Sequence, residues 1–385
     1  INKLGNLQLE KTKTIMNLEE ILLCVSNTQD MINPILSNHH QQVAYLSYRL
    51  AGQLNYPLQE QKSIFLAALV HDIGALSINE RLSIIDTEPA FIYDHALSGS
   101  KLLKGFKPMQ KEANIIRYHH TPWDYGNGEY FRGEKVPRGS HVIHIADRTC
   151  LQIKSDKNVL TQLPFVTEVI NSKKDTIFDP VMVDALHSLS KKEYIWLDLV
   201  SEAPVKKLPH GLYDMLPMDI NDIIDFSAVL SRIVDFRSRF TSRHSAGVAQ
   251  TAQRLAELMG FSKLECKMML IAGYFHDIGK LAINNEVLEK PTKLNEEEFD
   301  EIRSHTYYTY QLLDAIPQFE TIKEWASYHH ERLNGEGYPF KIKGDNLTLG
   351  SRIMAVADVF TAITENRPYR KGMDSDKAVS ILKNM

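Results

Sequence analysis

Apolar residues in the second half of the chain recur at helical spacing. Val248, Ala252, Leu255 and Met259 define one helix face, and Gly260 sits where a C-cap glycine belongs. Ser262 with Glu265 reads as a capping box opening a second helix, whose apolar face is Leu264, Met268, Ile271 and Phe275. That helix is expected to end near Gly279, which puts His276 and Asp277 in its last turn. Asn295 with Glu298 opens another helix, with His305 in its middle. Pro317 starts one that carries His329 and His330, and Ile353, Val356, Phe360 and Ile363 predict a further helix around Asp358. Alternating β-type patterns are nearly absent, so the pattern predicts an all-α fold.

The same reading places a boundary. Ser201 to Pro217 holds three prolines (Pro204, Pro209, Pro217) and the Lys206-Lys207 pair, which read as linker punctuation. From Asp219 a long helical pattern (Ile223, Phe226, Val229, Leu230, Ile233) leads to His244, as a helix that either connects the halves or forms a homodimer contact. The expected organisation is an N-terminal domain over 1–200, a linker over 201–218 and a second domain over 219–385. A chain of 385 residues is long enough for two such cores.

The histidines show that the two halves are copies. In the second half they fall at His244, His276, His305, His329 and His330; in the first, at His39, His71, His95, His119 and His120. The steps from 39 to 71 and from 244 to 276 are equal, as are those from 95 to 119 and from 305 to 329. An Asp follows the second His of each ladder (Asp72, Asp277), and each copy has a later Ala-Asp, Ala146-Asp147 and Ala357-Asp358. Arg49-Leu50-Ala51 matches Arg254-Leu255-Ala256, which selects His39 over His40 as the partner of His244. Ten of the fifteen histidines lie on one repeated ladder, the mark of an internal duplication.

Composition narrows the class. Forty-four basic against 48 acidic residues, a net charge of -4, give no electrostatic reason to expect a nucleic-acid polymer or a membrane surface as partner. The basic run Arg237, Arg239 and Arg243 reads as a solvated helix face. Three cysteines without a CxxC pair argue for a reducing compartment. The opening residues lack a signal pattern, and the longest apolar stretch, Met268 to Phe275, is too short to span a bilayer; a cytoplasmic protein without a membrane span is expected.

Imidazoles and carboxylates are the donors that borderline divalent metals prefer, and five His with two Asp suffice for two adjacent ions. Neighbouring residues such as His276 and Asp277 cannot share a helix face, but at a helix end an Asp can bridge two ions while its neighbour binds one. Two ions about 3.5–4 Å apart activate a water and stabilise in-line displacement at phosphorus.

Taken in order, His244, His276-Asp277, His305, His329-His330, Gly337-Tyr338-Pro339 and Asp358 resemble the HD-GYP family of bacterial cyclic-dinucleotide phosphodiesterases. His276-Asp277-Ile278-Gly279-Lys280 and Arg367-Pro368-Tyr369-Arg370 are similar to that family's signatures. The resemblance covers about Asp219 to the C-terminus and implies two tandem HD-type helical bundles, the second of HD-GYP type. It implies that His244, His276, Asp277 and Asp358 hold one metal and that Asp277, His305, His329 and His330 hold another, with iron or manganese as the ions. Family members with a third metal use a Glu one turn before the first His; Phe240 stands there, so a binuclear centre is expected. Asp277 and Lys280 become catalytic candidates. Lys280, Arg367 and Arg370 would face phosphate oxygens, and Tyr338 belongs to the loop that resembles the family's substrate lip. The implied reaction opens a cyclic dinucleotide, cyclic di-GMP or 3',3'-cyclic GMP-AMP, to a linear one. A catalytically weak receptor for the same ligand is the alternative; a general HD-type nucleotide phosphohydrolase is disfavoured by the Gly-Tyr-Pro and Arg-Pro-Tyr-Arg segments.

The first ladder keeps each ligand type, at His39, His71, Asp72, His95, His119, His120 and Asp147, a potential second metal site. Trp123 to Gly128 replaces the Gly-Tyr-Pro loop, Ala75 stands for Lys280, and Asp156 and Val159 stand for Arg367 and Arg370. An Asp in place of an Arg repels phosphate. This half is therefore expected to bind metal without hydrolysing the same dinucleotide.

Overall fold

The structure, a computed structural model, describes residues 16–30, 38–75, 92–209, 217–237, 244–365 and 371–383. Helices dominate it. Among the described residues the only strands are two antiparallel pairs of two residues each: β1 (Met16–Asn17) with β4 (Pro217–Met218), and β2 (Tyr130–Phe131) with β3 (Glu134–Lys135). The all-α expectation holds. Among the described residues no helix is long and apolar enough to cross a membrane.

The chain divides into two units, Val25–Leu216 and Pro217–Met385, the second also taking in Ile1–Cys24. The division near the start of the chain therefore falls inside helix α1 (Leu18–Asp30), whereas the sequence pattern counts that whole stretch with the first domain. Backbone pairing explains the difference: Met16 pairs with Met218, and the Cys24 thiol donates to the Leu312 carbonyl at 3.0 Å. The stretch read as linker begins as a packed turn over Pro204–Lys207, with Pro204, Val205 and Leu208 buried. Cys24, Cys150 and Cys266 are free and buried.

The N-terminal unit comprises α2 (His39–Gln53), α3 (Leu58–Leu69), α4 (Ile92–Lys104), α5 (Gln110–Arg117), α6 (Arg138–Leu151), α7 (Val159–Ser172), α8 (Pro180–Ser190) and α9 (Glu193–Leu199). The C-terminal unit comprises α10 (Ile220–Arg237), α11 (His244–Leu258), α12 (Lys263–Phe275), α13 (Asn285–Leu288), α14 (Glu296–Asp314), α15 (Glu320–Ser327), α16 (Leu349–Thr364) and α17 (Ser375–Lys383). The repeat is visible in the packing: α2 lies against α3 and α6, as α11 lies against α12 and α16.

Both capping boxes form, Ser262 with Glu265 and Asn295 with Glu298, and Gly260 takes a φ of 82° as α11 ends. Of the expected apolar faces Val248, Ala252, Ile271 and Phe275 are buried, while the positions at the facing helix ends are not. Met259 is 57% and Leu264 37% exposed, while Val248, Ala249, Ala252 and Ala256 form the buried side of α11. The cause is a close crossing at which a Cβ on Gly273 would strike the Ala249 Cα, so small residues, not large ones, fill the contact. In α10 the residues Ile223, Phe226, Val229, Leu230 and Ile233 are all buried within the unit. Each contributes about 1.5–3 kcal/mol by burial. Helix α10 packs against α11 and α12.

Candidate metal centre

Helix ends and short turns bring the C-terminal ladder together. His276 closes α12, and the chain then tightens into a 3-10 turn over Ile278–Ala282, so His276 and Asp277 stand just beyond the helix instead of in its last turn. Gly279 allows this turn to lie directly on α14: a Cβ there would meet the His305 carbonyl and the Thr309 amide. The Thr309 hydroxyl completes the junction, accepting from the Gly279 amide at 3.0 Å and donating to the His276 carbonyl at 3.1 Å. Helix α15 ends at Ser327, so His329 and His330 lie in the turn that follows and not on the helix expected to carry them. The Nδ1 of His329 donates back to the Ala326 carbonyl at 2.7 Å and orients the ring inward.

All seven C-terminal ladder residues converge. Nε2 of His244 is 3.1 Å from Asp358 Oδ1, and Nε2 of His276 is 3.3 Å from Asp277 Oδ2 and 4.0 Å from Asp358 Oδ1. Nε2 of His305 is 3.3 Å from Asp277 Oδ1. Potential ligand atoms of His305, His329 and His330, and separately those of His244, His276 and Asp277, lie within 4.8 Å of one another. Asp277 thus faces both groups.

Protonation tests whether these residues suit a cation. The Nδ1 atoms of His305 and His329 both donate to backbone carbonyls, at 2.5 and 2.7 Å. Burial lowers His305 to about 3 and His329 to about 4, so both rings are neutral at pH 7 and their Nε2 atoms are bare lone pairs. Those two lone pairs face each other at 3.4 Å beside a carboxylate oxygen. Neither can donate to the other, and a divalent ion satisfies the geometry. Burial raises Asp277, but Lys280, His276 and His305 together hold it well below the usual carboxylate range. At His244 burial lowers the pKa, yet Asp358 and Glu365 prevail and raise it to about 9.

Lys280 places its Nζ 2.5 Å from Asp277 Oδ2. Tyr338 lies against His330, ring centroids 4.9 Å apart, and the Arg303 guanidinium lies 4.9 Å from the Tyr338 ring centroid. Arg367 and Arg370 lie outside the described residues, as do Phe240, Arg239 and Arg243.

Four further residues escaped the sequence reading. Glu365 sets Oε2 3.4 Å from His244 Nδ1, behind the ring that faces Asp358. Buried Glu331 accepts from the amides of Phe340 (2.7 Å) and Ile342 (3.0 Å) and so pins the Gly-Tyr-Pro loop. Thr309 and Arg303 complete the set. Thr309 was detectable, since it lies one turn from His305 on the same helix face.

The seven N-terminal ladder residues also converge. His39 Nε2 is 3.1 Å from Asp147 Oδ1, and His95 Nε2 is 3.1 Å from Asp72 Oδ1. Asp72, His95, His119 and His120 form one group of potential ligand atoms, and His39, His71 and Asp147 another. Ala75 is buried at the position matching Lys280.

Two helical units, each with histidines and aspartates gathered at helix ends, define a tandem HD-domain protein, and models of the HD domain match residues 36–151 and 228–385. The chain is 31% identical over 379 residues to the 3'3'-cGAMP-specific phosphodiesterase 1 of Vibrio cholerae, an alignment covering 96% of this chain and 88% of the relative. It is 37% identical over 155 residues to the cyclic di-GMP phosphodiesterase response regulator of Xanthomonas campestris, covering 40% of this chain and 41% of that protein. A crystal structure of a cyclic GMP-AMP specific phosphodiesterase of Vibrio cholerae has the same fold, with a TM-score of 0.66 at 23% identity, covering 96% of this chain and 94% of that one. The chain belongs to the HD-GYP family of HD-domain phosphodiesterases.

Proposed function

We propose that this protein hydrolyses a cyclic dinucleotide to its linear form, with the C-terminal unit as the catalytic one. The observation that carries the reading is the pair of opposed Nε2 lone pairs on His305 and His329 beside Asp277. A receptor would have no use for a donor set that attracts divalent ions at a phosphate site, and the relative that spans nearly the whole chain is itself a phosphodiesterase.

In this reading His244, His276, Asp277 and Asp358 hold one divalent ion and Asp277, His305, His329 and His330 the other, with Asp277 shared. The donors are nitrogen and oxygen without thiolate, which suits iron or manganese. Such ions supply Lewis acidity and a water acidified to about pKa 7. The protein's own residues do the rest. Asp277 keeps the two ligand groups in register. Lys280, drawn toward Asp277, has its Nζ placed to meet a non-bridging phosphate oxygen, and Arg367 and Arg370 are assigned the other oxygens from their motif. Tyr338, in contact with His330 and Arg303, forms one wall of the substrate lip. Water adds to phosphorus as the bond to the ribose 3′ oxygen breaks. That oxygen leaves as a hydroxyl with one proton of the water, and the phosphate stays on the 5′ side.

The test is anaerobic loading with iron or manganese followed by parallel turnover of 3',3'-cyclic GMP-AMP, cyclic di-GMP and cyclic di-AMP. A linear dinucleotide is the expected product, fastest from 3',3'-cyclic GMP-AMP. Metal-loaded protein that turns over none of the three while binding one of them tightly would establish the receptor reading instead. Lys280→Met is expected to retain metal and lose about 100-fold in kcat, the usual effect of removing one preorganised electrostatic contact. Full activity in that variant would remove Lys280 from the site.

A further inference from the structure

The N-terminal cluster departs from its C-terminal counterpart in two ways that bear on what it binds. The first is His40. By the register that pairs His39 with His244, His40 corresponds to Ser245 and Asp30 to Asp235. In the C-terminal unit the Ser245 hydroxyl donates to Asp235 at 2.7 Å. In the N-terminal unit this pair has become an imidazole on a carboxylate: His40 Nδ1 donates to Asp30 Oδ1 at 2.5 Å. With its proton on Nδ1, the ring carries a bare lone pair on Nε2, which is buried and has no hydrogen-bond partner. Potential ligand atoms of His40, His71 and Asp72 lie within 4.8 Å of one another. A carboxylate behind one ring nitrogen and an open lone pair on the other is the arrangement that orients a metal-binding histidine and raises its basicity.

The second departure is at the late Asp. Arg148 donates through Nε to Asp147 Oδ2 at 3.1 Å, and its Nη2 pairs electrostatically with the same oxygen at 3.1 Å. The Asp147 side chain is 1% exposed, against 13% for its counterpart Asp358. Lone pairs still converge inside. His71 and His119 donate through Nδ1 to the Ala68 and Ile116 carbonyls at 2.8 and 2.7 Å, which turns Nε2 of each inward. Neither ring nitrogen of buried His120 has a hydrogen-bond partner. Each buried polar atom left unpaired costs about 1–3 kcal/mol, a penalty that a coordinated ion removes.

We propose that the N-terminal unit holds its own divalent transition-metal centre, built on His71 and Asp72. His40 is a ligand with no counterpart in the C-terminal unit, and Asp30 is the positioning carboxylate behind it. The centre's late Asp is covered by Arg148, and among the described residues buried Ala75 stands where the other unit has Lys280. The centre does not depend on the catalytic assignment of the other unit.

The test uses the full chain carrying Asp277→Ala and His305→Ala, which removes ligands of the C-terminal cluster only. After anaerobic loading with manganese, iron or cobalt and removal of free ion, metal analysis is expected to find about one ion or more retained per chain. Adding His40→Ala, or Asp30→Asn should the former not fold, is expected to weaken cobalt affinity about 10- to 100-fold and to alter the cobalt absorption spectrum. A purely structural Asp30–His40 pair would lower thermal stability and leave the affinity and spectrum of bound cobalt unchanged, which overturns the role of His40. A folded double variant that retains none of the three metals overturns the centre itself.

Discussion

Asp277→Ala is expected to reduce kcat/KM for the cyclic dinucleotide at least about 1,000-fold, a loss of roughly 4 kcal/mol of transition-state stabilisation. No other ladder residue faces both ligand groups: its Oδ2 lies 3.3 Å from His276 and its Oδ1 3.3 Å from His305. Removing it leaves two separate histidine clusters with no shared anion between them, and it releases Lys280 from its partner. Asp277→Asn tests charge apart from shape, since the amide keeps an oxygen but supplies no anion; a comparable loss is expected. Kinetics should be read beside metal analysis and thermal denaturation. A variant with an intact fold, bound metal and near-normal hydrolysis would refute the assignment of Asp277.

What the sequence made legible follows the physics of repetition. The seven C-terminal ligand candidates could be read because each is a His or Asp in a twice-used order, and chance does not repeat such an order. Glu365 and Glu331 are single carboxylates in a chain with 24% charged residues, so nothing in the pattern separates a glutamate behind His244 from one in solvent. Asp30 and His40 are hidden for a related reason: the duplication pairs His39 with His244, and His40 falls opposite Ser245 with no second histidine to mark it. Hydropathy periodicity found α11, α12 and part of each face, but it weights large apolar residues and so missed the close contact made by Ala249 and Gly273. The helix after Pro317 was drawn too long for another reason. His329 and His330 are as compatible with a helix as with the turn they occupy, and only the inward pull of the His329 ring on the Ala326 carbonyl distinguishes the two.

The two units carry the same frame of histidines and aspartates with different charge around it. In both, the second-ladder histidine stands at or just beyond a helix end and its following Asp reaches the third histidine. The charge around that frame differs. Lys280 stands at the C-terminal cluster and buried Ala75 at the N-terminal one. Arg148 is committed to Asp147, while the residue after Asp358 is Val359. The histidine and aspartate geometry therefore persists where Lys280 has no counterpart, since the fold holds the former and local sequence supplies the latter.

Gly279→Ala is expected to uncouple the C-terminal cluster by steric means alone, without touching a ligand. The added methyl would fall on the His305 carbonyl and the Thr309 amide, both backbone groups of α14 that cannot swing aside as a side chain would. Either the Ile278–Ala282 turn or α14 must shift, and His276, Asp277 and His305 are carried on those elements. Overpacking of this kind costs about 3 kcal/mol, so amide protection across α12 and α14 should fall roughly 100-fold in hydrogen exchange. Metal retention and turnover should fall with it, because a shift of about 1 Å is enough to spoil a shared-ligand geometry. Thr309→Val separates the hydroxyl from the close approach: it removes the bonds to Gly279 and His276 at constant shape, for about 1–2 kcal/mol, and should leave turnover the less affected of the two. If Gly279→Ala left both protection and turnover unchanged, the contact between the turn and α14 could not be what fixes Asp277 between the histidine groups.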